Sequence, residues 1–212
     1  MSNSRIFSRV YDPLISPLEQ LGLRKLREGT LRDLRGDILE LGVGTGRNFP
    51  LYPPTVERLT GIDPDEVMLA QAHERAGEAP FPAEFIAADA EELPFDNGSF
   101  DAVVATLVFC TIPDPEQALR EARRVLRSGG ELRLLEHVRM ERRHAAWTQE
   151  KVTPVWKRLA GGCHLDRDTL GLVRRSGLSV ERVEGHLDGL VLSIAARKPP
   201  QPMSRSAREL PG

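Results

Sequence analysis

Cysteine is scarce in this 212-residue chain. Cys110 and Cys163 are the only two, and they form no Cys-x-x-Cys pair. A disulfide-stapled secreted fold is therefore disfavoured, and a reducing cytoplasm fits. Reading the two cysteines with His137 and His164 as a metal site fails on spacing, so no metal is assigned. No apolar run approaches the length of a membrane span. The N-terminal Met-Ser-Asn-Ser-Arg lacks the apolar core of a secretory signal, so a cytoplasmic location is expected. An excess of charge is missing too: 29 Lys and Arg stand against 31 Asp and Glu, for a net charge of −2. That gives no general attraction for nucleic acid, which is not an expected partner. No internal repeat is visible. The remaining composition, 40% hydrophobic and 28% charged, is that of a globular chain, expected to form one domain with a short tail.

The most informative stretch is Asp37 to Arg47, Asp-Ile-Leu-Glu-Leu-Gly-Val-Gly-Thr-Gly-Arg. An apolar strand over 38–41 carries Glu40 near its end, and Gly42, Gly44 and Gly46 follow at alternate positions. A loop with no Cβ at three points lets a ligand approach the backbone, as at the nucleotide end of a doubly wound sheet. A dinucleotide fingerprint needs Gly-x-Gly-x-x-Gly, but here the third glycine comes one residue early and Arg47 takes its place. No Gly-Lys-Ser/Thr follows, so a Walker loop is excluded. Glu40 would repel a phosphate. A carboxylate beside a glycine loop suits a ligand with a cationic end, and S-adenosylmethionine has an amino group, a sulfonium and no phosphate. The bland alternative is an ordinary Gly-rich turn.

Apolar positions at helical spacing over 5–35, interleaved with Arg24, Lys25, Arg27, Arg32 and Arg35, predict one or two amphipathic helices. They are read as a helical lid over 1–35, the alternative being a basic surface that touches anionic membrane. The prolines of 48–54 allow only a short helix. Strands are expected at 58–62, 83–88, 100–107, 131–138, 179–184 and 189–196. Helices are expected at 64–76, from Asp114 to Gly129-Gly130, over 145–159, and from an Asp166 cap to Ser176. Three acids, Glu40, Asp63 and Asp89, fall at the ends of three successive strands. Asp63 could instead cap the following helix, since Asp63-Pro64-Asp65-Glu66 is a good helix start. Residues 199–212 read as a disordered tail.

Seven strands with intervening helices, the acid-glycine loop, Asp63 and Asp89 together resemble the class I S-adenosylmethionine-dependent methyltransferases over about residues 36–138. The resemblance implies an α/β, Rossmann-like fold for 36–198, with a seven-stranded, mostly parallel sheet and helices on both faces. It implies a cofactor site of Glu40, Gly42, Gly44, Thr45, Gly46 and Asn48, with Asp63 on the ribose and Pro64 and Met68 beside it. Asp89, Ala90 and Glu91 would meet the adenine, Thr106 and Leu107 would close the wall, and an N-terminal Tyr11 would reach the cofactor carboxylate. The Asn/Asp-Pro-Pro-Tyr/Phe motif of amino-directed nucleic-acid methyltransferases is absent after 100–107. Leu-Tyr-Pro-Pro at 51–54, Thr-Leu-Val-Phe-Cys at 106–110, Leu-Glu-His-Val at 135–138, and Trp147, Gln149, Pro154, Trp156, Gly162-Cys163 and Arg167 resemble the alkyl-thiol methyltransferases. The N-terminal helices look similar to those of bacterial phospholipid and quinone methyltransferases. Those likenesses imply a small-molecule or lipid-like acceptor. Methyl transfer to a small apolar nucleophile, a thiol among them, is the main expectation; the alternatives are a phospholipid or quinone acceptor with peripheral membrane contact, and a catalytically silent cofactor-binding protein. Cys110, Trp147, Trp156, Cys163 and His164 would wall the acceptor pocket, and His137 is the first choice of base. Oligomeric state is left open.

Overall fold

The computed structural model describes residues 22–79, 81–140, 147, 149, 151, 153, 164 and 166–200. Its elements in chain order are α1 (Arg24–Leu31), β1 (Gly36–Leu41), β2 (Val56–Asp63), α2 (Glu66–Arg75), β3 (Ala83–Ala87), β4 (Phe100–Thr106), α3 (Pro115–Val125), β5 (Leu126–His137), α4 (Thr169–Arg175), β6 (Ser179–His186) and β7 (Val191–Arg197). A 3₁₀ turn at Phe49–Leu51 is the short helix the prolines allow.

One seven-stranded sheet has the order β3-β2-β1-β4-β5-β7-β6. Strands β1 to β5 pair in parallel, and β7 runs antiparallel to both β5 and β6. The order reverses between β1 and β4, which opens a crevice at their C-terminal ends. Parallel strands covered on both faces need apolar residues on both, and β4 is buried from Ala102 to Thr106.

Side chains alternate along each strand, so each face has its own core. Leu39, Leu41, Val103, Leu132 and Leu134 pack against α3 and α4 residues such as Leu119 and Val173. Ile38, Val104 and Leu59 pack on the other face with Leu31 and Leu34, at and just beyond the end of α1. Glu40 shares the parity of Ile38, and Thr106 that of Val104. Both therefore lie on the α1 face of the sheet.

Local chemistry moves several predicted boundaries. Asp65, not Asp63, caps α2, accepting from Val67 N and Met68 N. Asp168, not Asp166, caps α4, accepting from Gly171 N at 2.9 Å. Helix α3 starts as predicted, with Asp114 accepting from Gln117 N at 3.0 Å, but it ends at Val125. Leu126 is already extended and pairs with Phe100, so Gly129-Gly130 forms an irregularity inside β5. Of the predicted helix over 145–159, Trp147, Gln149, Lys151 and Thr153 are helical; its other residues lie outside the described ones. So do residues 1–21 of the predicted lid and 201–212 of the tail.

Candidate functional site

The glycine loop turns off β1 with Gly42, Gly44 and Gly46 all at positive φ. The three do different work. A Cβ on Gly42 would lie 2.6 Å from the Val108 side chain, and one on Gly46 would lie 2.3 Å from the Phe49 ring. Both serve packing. A Cβ on Gly44 would find nothing closer than 3.9 Å, so only Gly44 faces open space. Behind it stands Asp63, buried at the end of β2. One oxygen of Asp63 accepts from Gly44 N at 3.0 Å, the other from Asp65 N at 2.9 Å. The carboxylate thus ties the loop to the strand end, and burial pushes its pKa up.

The crevice itself is lined by Arg27, Glu40, Gly42, Val43, Gly44, Thr45, Arg47, Asn48 and Thr106. Glu40 accepts from Asn48 Nδ2 at 2.6 Å and from the Tyr52 hydroxyl at 2.9 Å. Burial raises its pKa to about 7, against the pull of those two bonds and of Arg27. Arg27 reaches in from α1 and donates to Asn48 Oδ1 at 3.1 Å and to Thr106 Oγ1 at 2.5 Å. One small cleft therefore holds a carboxylate and a guanidinium, each hydrogen-bonded to the same asparagine.

The segment after β4 is held at both polarities. Leu107 takes φ of 61°, a strained conformation for a branched side chain, and its N–H donates to Leu135 O at 2.7 Å. The fully buried Glu136 carboxylate accepts from the N–H groups of Val108 and Phe109, each at 2.9 Å, and of Cys110 at 3.3 Å. The Arg167 guanidinium donates to the carbonyls of Phe109 and Ile112. Burial raises Glu136 to about 7.

Comparison with known proteins fits this geometry. Residues 39–134, which span β1 to the middle of β5, match the family model described as a methyltransferase domain. The chain carries a class I methyltransferase domain. It is 39% identical to human thiol S-methyltransferase TMT1B over 139 residues, which are 62% of this chain and 55% of that protein. It is 42% identical to phosphatidylethanolamine N-methyltransferase of Cereibacter sphaeroides over 104 residues, 48% of this chain and 51% of that protein. The chain thus spans little more than half the length of either relative. An S-adenosylmethionine-dependent methyltransferase structure from Thermotoga maritima superposes with a TM-score of 0.63 at 25% identity, covering 92% of this chain and 98% of that one.

Within the methyltransferase domain, the predicted site residues separate. Glu40, Gly42, Gly44, Thr45, Asn48 and Thr106 line the crevice together, and Asp63 stands behind its loop. Gly46 and Met68 are packing residues, whereas Pro64 is exposed. Asp89 is exposed beyond β3. Ala90 is half-buried against the core, and Glu91 accepts from Asp114 N at 2.5 Å, which ties this loop to α3. Cys110 is buried with Sγ directed at Leu107 O, and its carbonyl accepts from His164 N at 2.8 Å. His137 ends β5, half-buried, and does not line the crevice. Trp147 is 62% exposed, which rules out core packing for it. Tyr11, Trp156 and Cys163 lie outside the described residues.

Arg27, Tyr52, Glu136 and Arg167 were not singled out as site residues by the sequence. Arg27 reads as one of several basic residues. Its signal was its register, because it shares a helical stripe with Thr30, Leu31 and Leu34, all buried. Glu136 gave a signal too, a carboxylate at the end of the apolar strand that contains Leu132, Leu134 and Leu135.

Proposed function

We propose that the chain is an S-adenosylmethionine-dependent methyltransferase acting on a small apolar nucleophile, a thiol first among them. The observation that carries this reading is the pairing of an acidic and a basic side chain in the crevice, Glu40 and Arg27, beside the open side of Gly44. An amino-acid end with its ammonium and carboxylate matches such a pair, and a pyrophosphate does not. S-adenosylmethionine has that end and, when bound, supplies a methyl group on a positively charged sulfur. Glu40, Arg27 and Asn48 would hold the amino-acid portion, and Asp63, with a lone pair to spare on each oxygen, the ribose hydroxyls. Asp89 and Ala90 remain the proposed adenine neighbours.

With an already activated reagent, the protein's task is alignment and exclusion of water. The segment over 107–112 would form the acceptor-side wall, next to Thr106 and against Gly42. A thiol acceptor must lose its proton, because the thiolate is the nucleophile. His137 is the proposed base, with His164 and Asp166 as alternatives. A lipid-like acceptor at a membrane surface is the second reading, favoured by the likeness to a phosphatidylethanolamine methyltransferase. Among the described residues no helix is long and apolar enough to cross a membrane. Charge reversal at Arg27 cannot test that reading, because Arg27 is buried in the crevice; Arg24 and Lys25 are exposed and can.

The test is thermal stability with S-adenosylmethionine, S-adenosylhomocysteine and NADH, each in excess. A ligand that binds only the folded state raises the melting temperature by mass action. Both adenosyl ligands are expected to stabilise the protein, NADH is not, and Arg27→Met is expected to blunt the response. Stabilisation by NADH alone would overturn the reading. Methyl transfer is then assayed with dithiothreitol and with phosphatidylethanolamine dispersions.

A further inference from the structure

Helix α1 borders a second hollow, whose lining does not include Arg27. Its roof is Lys25, Leu26, Gly29, Thr30 and Arg32, and its volume is about 220 Å³, open to solvent. The floor comes from the three C-terminal strands. Parity puts Arg133 of β5 on the α1 face, since Leu132 and Leu134 belong to the opposite core. Register then sets Arg133 beside Ala195 of β7, and Ala195 beside Arg182 of β6. Ser193 and Glu184 form the next cross-strand pair.

Size and charge both mark this hollow. Ala195 and Ser193 are small and leave the middle of the floor low. Gly29 sits inside α1, where a glycine is unfavourable, yet a Cβ there would meet nothing within 4 Å. No neighbour demands a glycine there; its effect is to keep the roof open. Around this space stand Lys25, Arg32, Arg133 and Arg182, with Glu184 as the one carboxylate in the lining. His186 also lines it, bonded to Ser193 Oγ at 2.9 Å. Two of the cations are engaged: Arg133 with Glu131 at 2.5 Å, and Arg182 with Glu184 at 3.6 Å. Lys25 and Arg32 have no ion-pair partner among the described residues. Like charges facing one hollow repel, and a doubly charged anion between them relieves that. Ser193 and Thr30 add hydroxyls, although Thr30 already donates to Leu26 O.

We propose that this hollow is an anion site, separate from the crevice, that takes a phosphate group. A phosphate monoester in solution and a phospholipid headgroup share that chemistry, and the test separates them. Binding of inorganic phosphate is followed by titration calorimetry at constant ionic strength, with chloride as the balancing ion. Wild type is expected to bind phosphate saturably. The double variant Lys25→Glu, Arg32→Glu is expected to bind at least about tenfold more weakly. Arg24→Glu makes the same kind of charge change at an exposed position that pairs with Glu28 and lies outside the hollow. It is expected to bind as wild type does. Arg182→Glu repeats the test from β6, so a folding defect of α1 cannot imitate the result. No saturable binding, or an equal loss in Arg24→Glu, overturns the proposal. Co-sedimentation with phosphatidylglycerol vesicles, competed by phosphate and lost in the double variant, assigns the site to a headgroup. Phosphate binding without co-sedimentation assigns it to a soluble phosphate ester. Phosphatidylcholine vesicles are the control for apolar adsorption.

Discussion

Asp63 anchors the glycine loop before any ligand arrives, because each of its oxygens already accepts one backbone N–H. Asp63→Ala should therefore weaken S-adenosylhomocysteine binding at least about tenfold. It should also lower stability, since Gly44 N–H and Asp65 N–H lose their acceptor; calorimetry and thermal melts read the two effects separately. Gly44 and Gly46 should part in the same two assays. Gly46→Ala sets a Cβ against Phe49 at a positive φ and should destabilise by roughly 2–3 kcal/mol. Gly44→Ala meets no neighbour and should cost about 1 kcal/mol of stability, while weakening the adenosyl ligand more than Gly46→Ala does. Equal losses of binding in both would remove Gly44 from the ligand's side of the loop.

At the scale of elements, the segment over 107–112 has no ladder of its own beyond Leu107. Its order depends on Glu136 from β5 and Arg167 from before α4. A glutamine at 136 could still take Val108 and Phe109 N–H on its carbonyl oxygen, but its NH₂ would then face Cys110 N–H, donor against donor. In Glu136→Gln, amide exchange followed by NMR should quicken most at Cys110, by about tenfold or more, and less at Val108 and Phe109. Arg167→Met should loosen the same segment through its carbonyls. Unchanged exchange in both variants would show that packing alone holds the wall.

At the scale of the whole molecule, two buried carboxylates among the described residues have pKa values that rise from 4.5 to about 7, Glu40 and Glu136. As pH rises from 4.5 the unfolded chain releases these protons first. Their contribution to stability is therefore full below about 4.5 and is lost as pH climbs through about 7. Glu40 faces Tyr52 and Asn48 after β1, Arg27 from α1 and Asp63 from β2, and Glu40→Gln keeps the two hydrogen bonds with Tyr52 as acceptor. Urea melts at pH 5 and 7.5 should show a smaller fall in stability for Glu40→Gln than for wild type. An identical fall would mean that Glu40 is ionised normally in the folded chain.

Local pattern was enough for the fold class, the order of the strands along the chain and the core of the crevice. Strand periodicity, helix caps such as Asp114, and a glycine loop after Glu40 are properties of neighbouring residues, and neighbours are legible in sequence. A cap went wrong where two acids compete ahead of one helix, at Asp166 and Asp168, because the local pattern suits either acid and only the backbone position places Asp168 to accept from Gly171 N. What only the tertiary structure decided are contacts across long separations. Arg27 meets Thr106 at a sequence distance of 79, and Glu136 meets Phe109 at 27. The same packing gave Gly42 and Gly46 to Val108 and Phe49 and left Gly44 facing open space. Strand pairing sets which charges share a face, and no local pattern encodes that pairing.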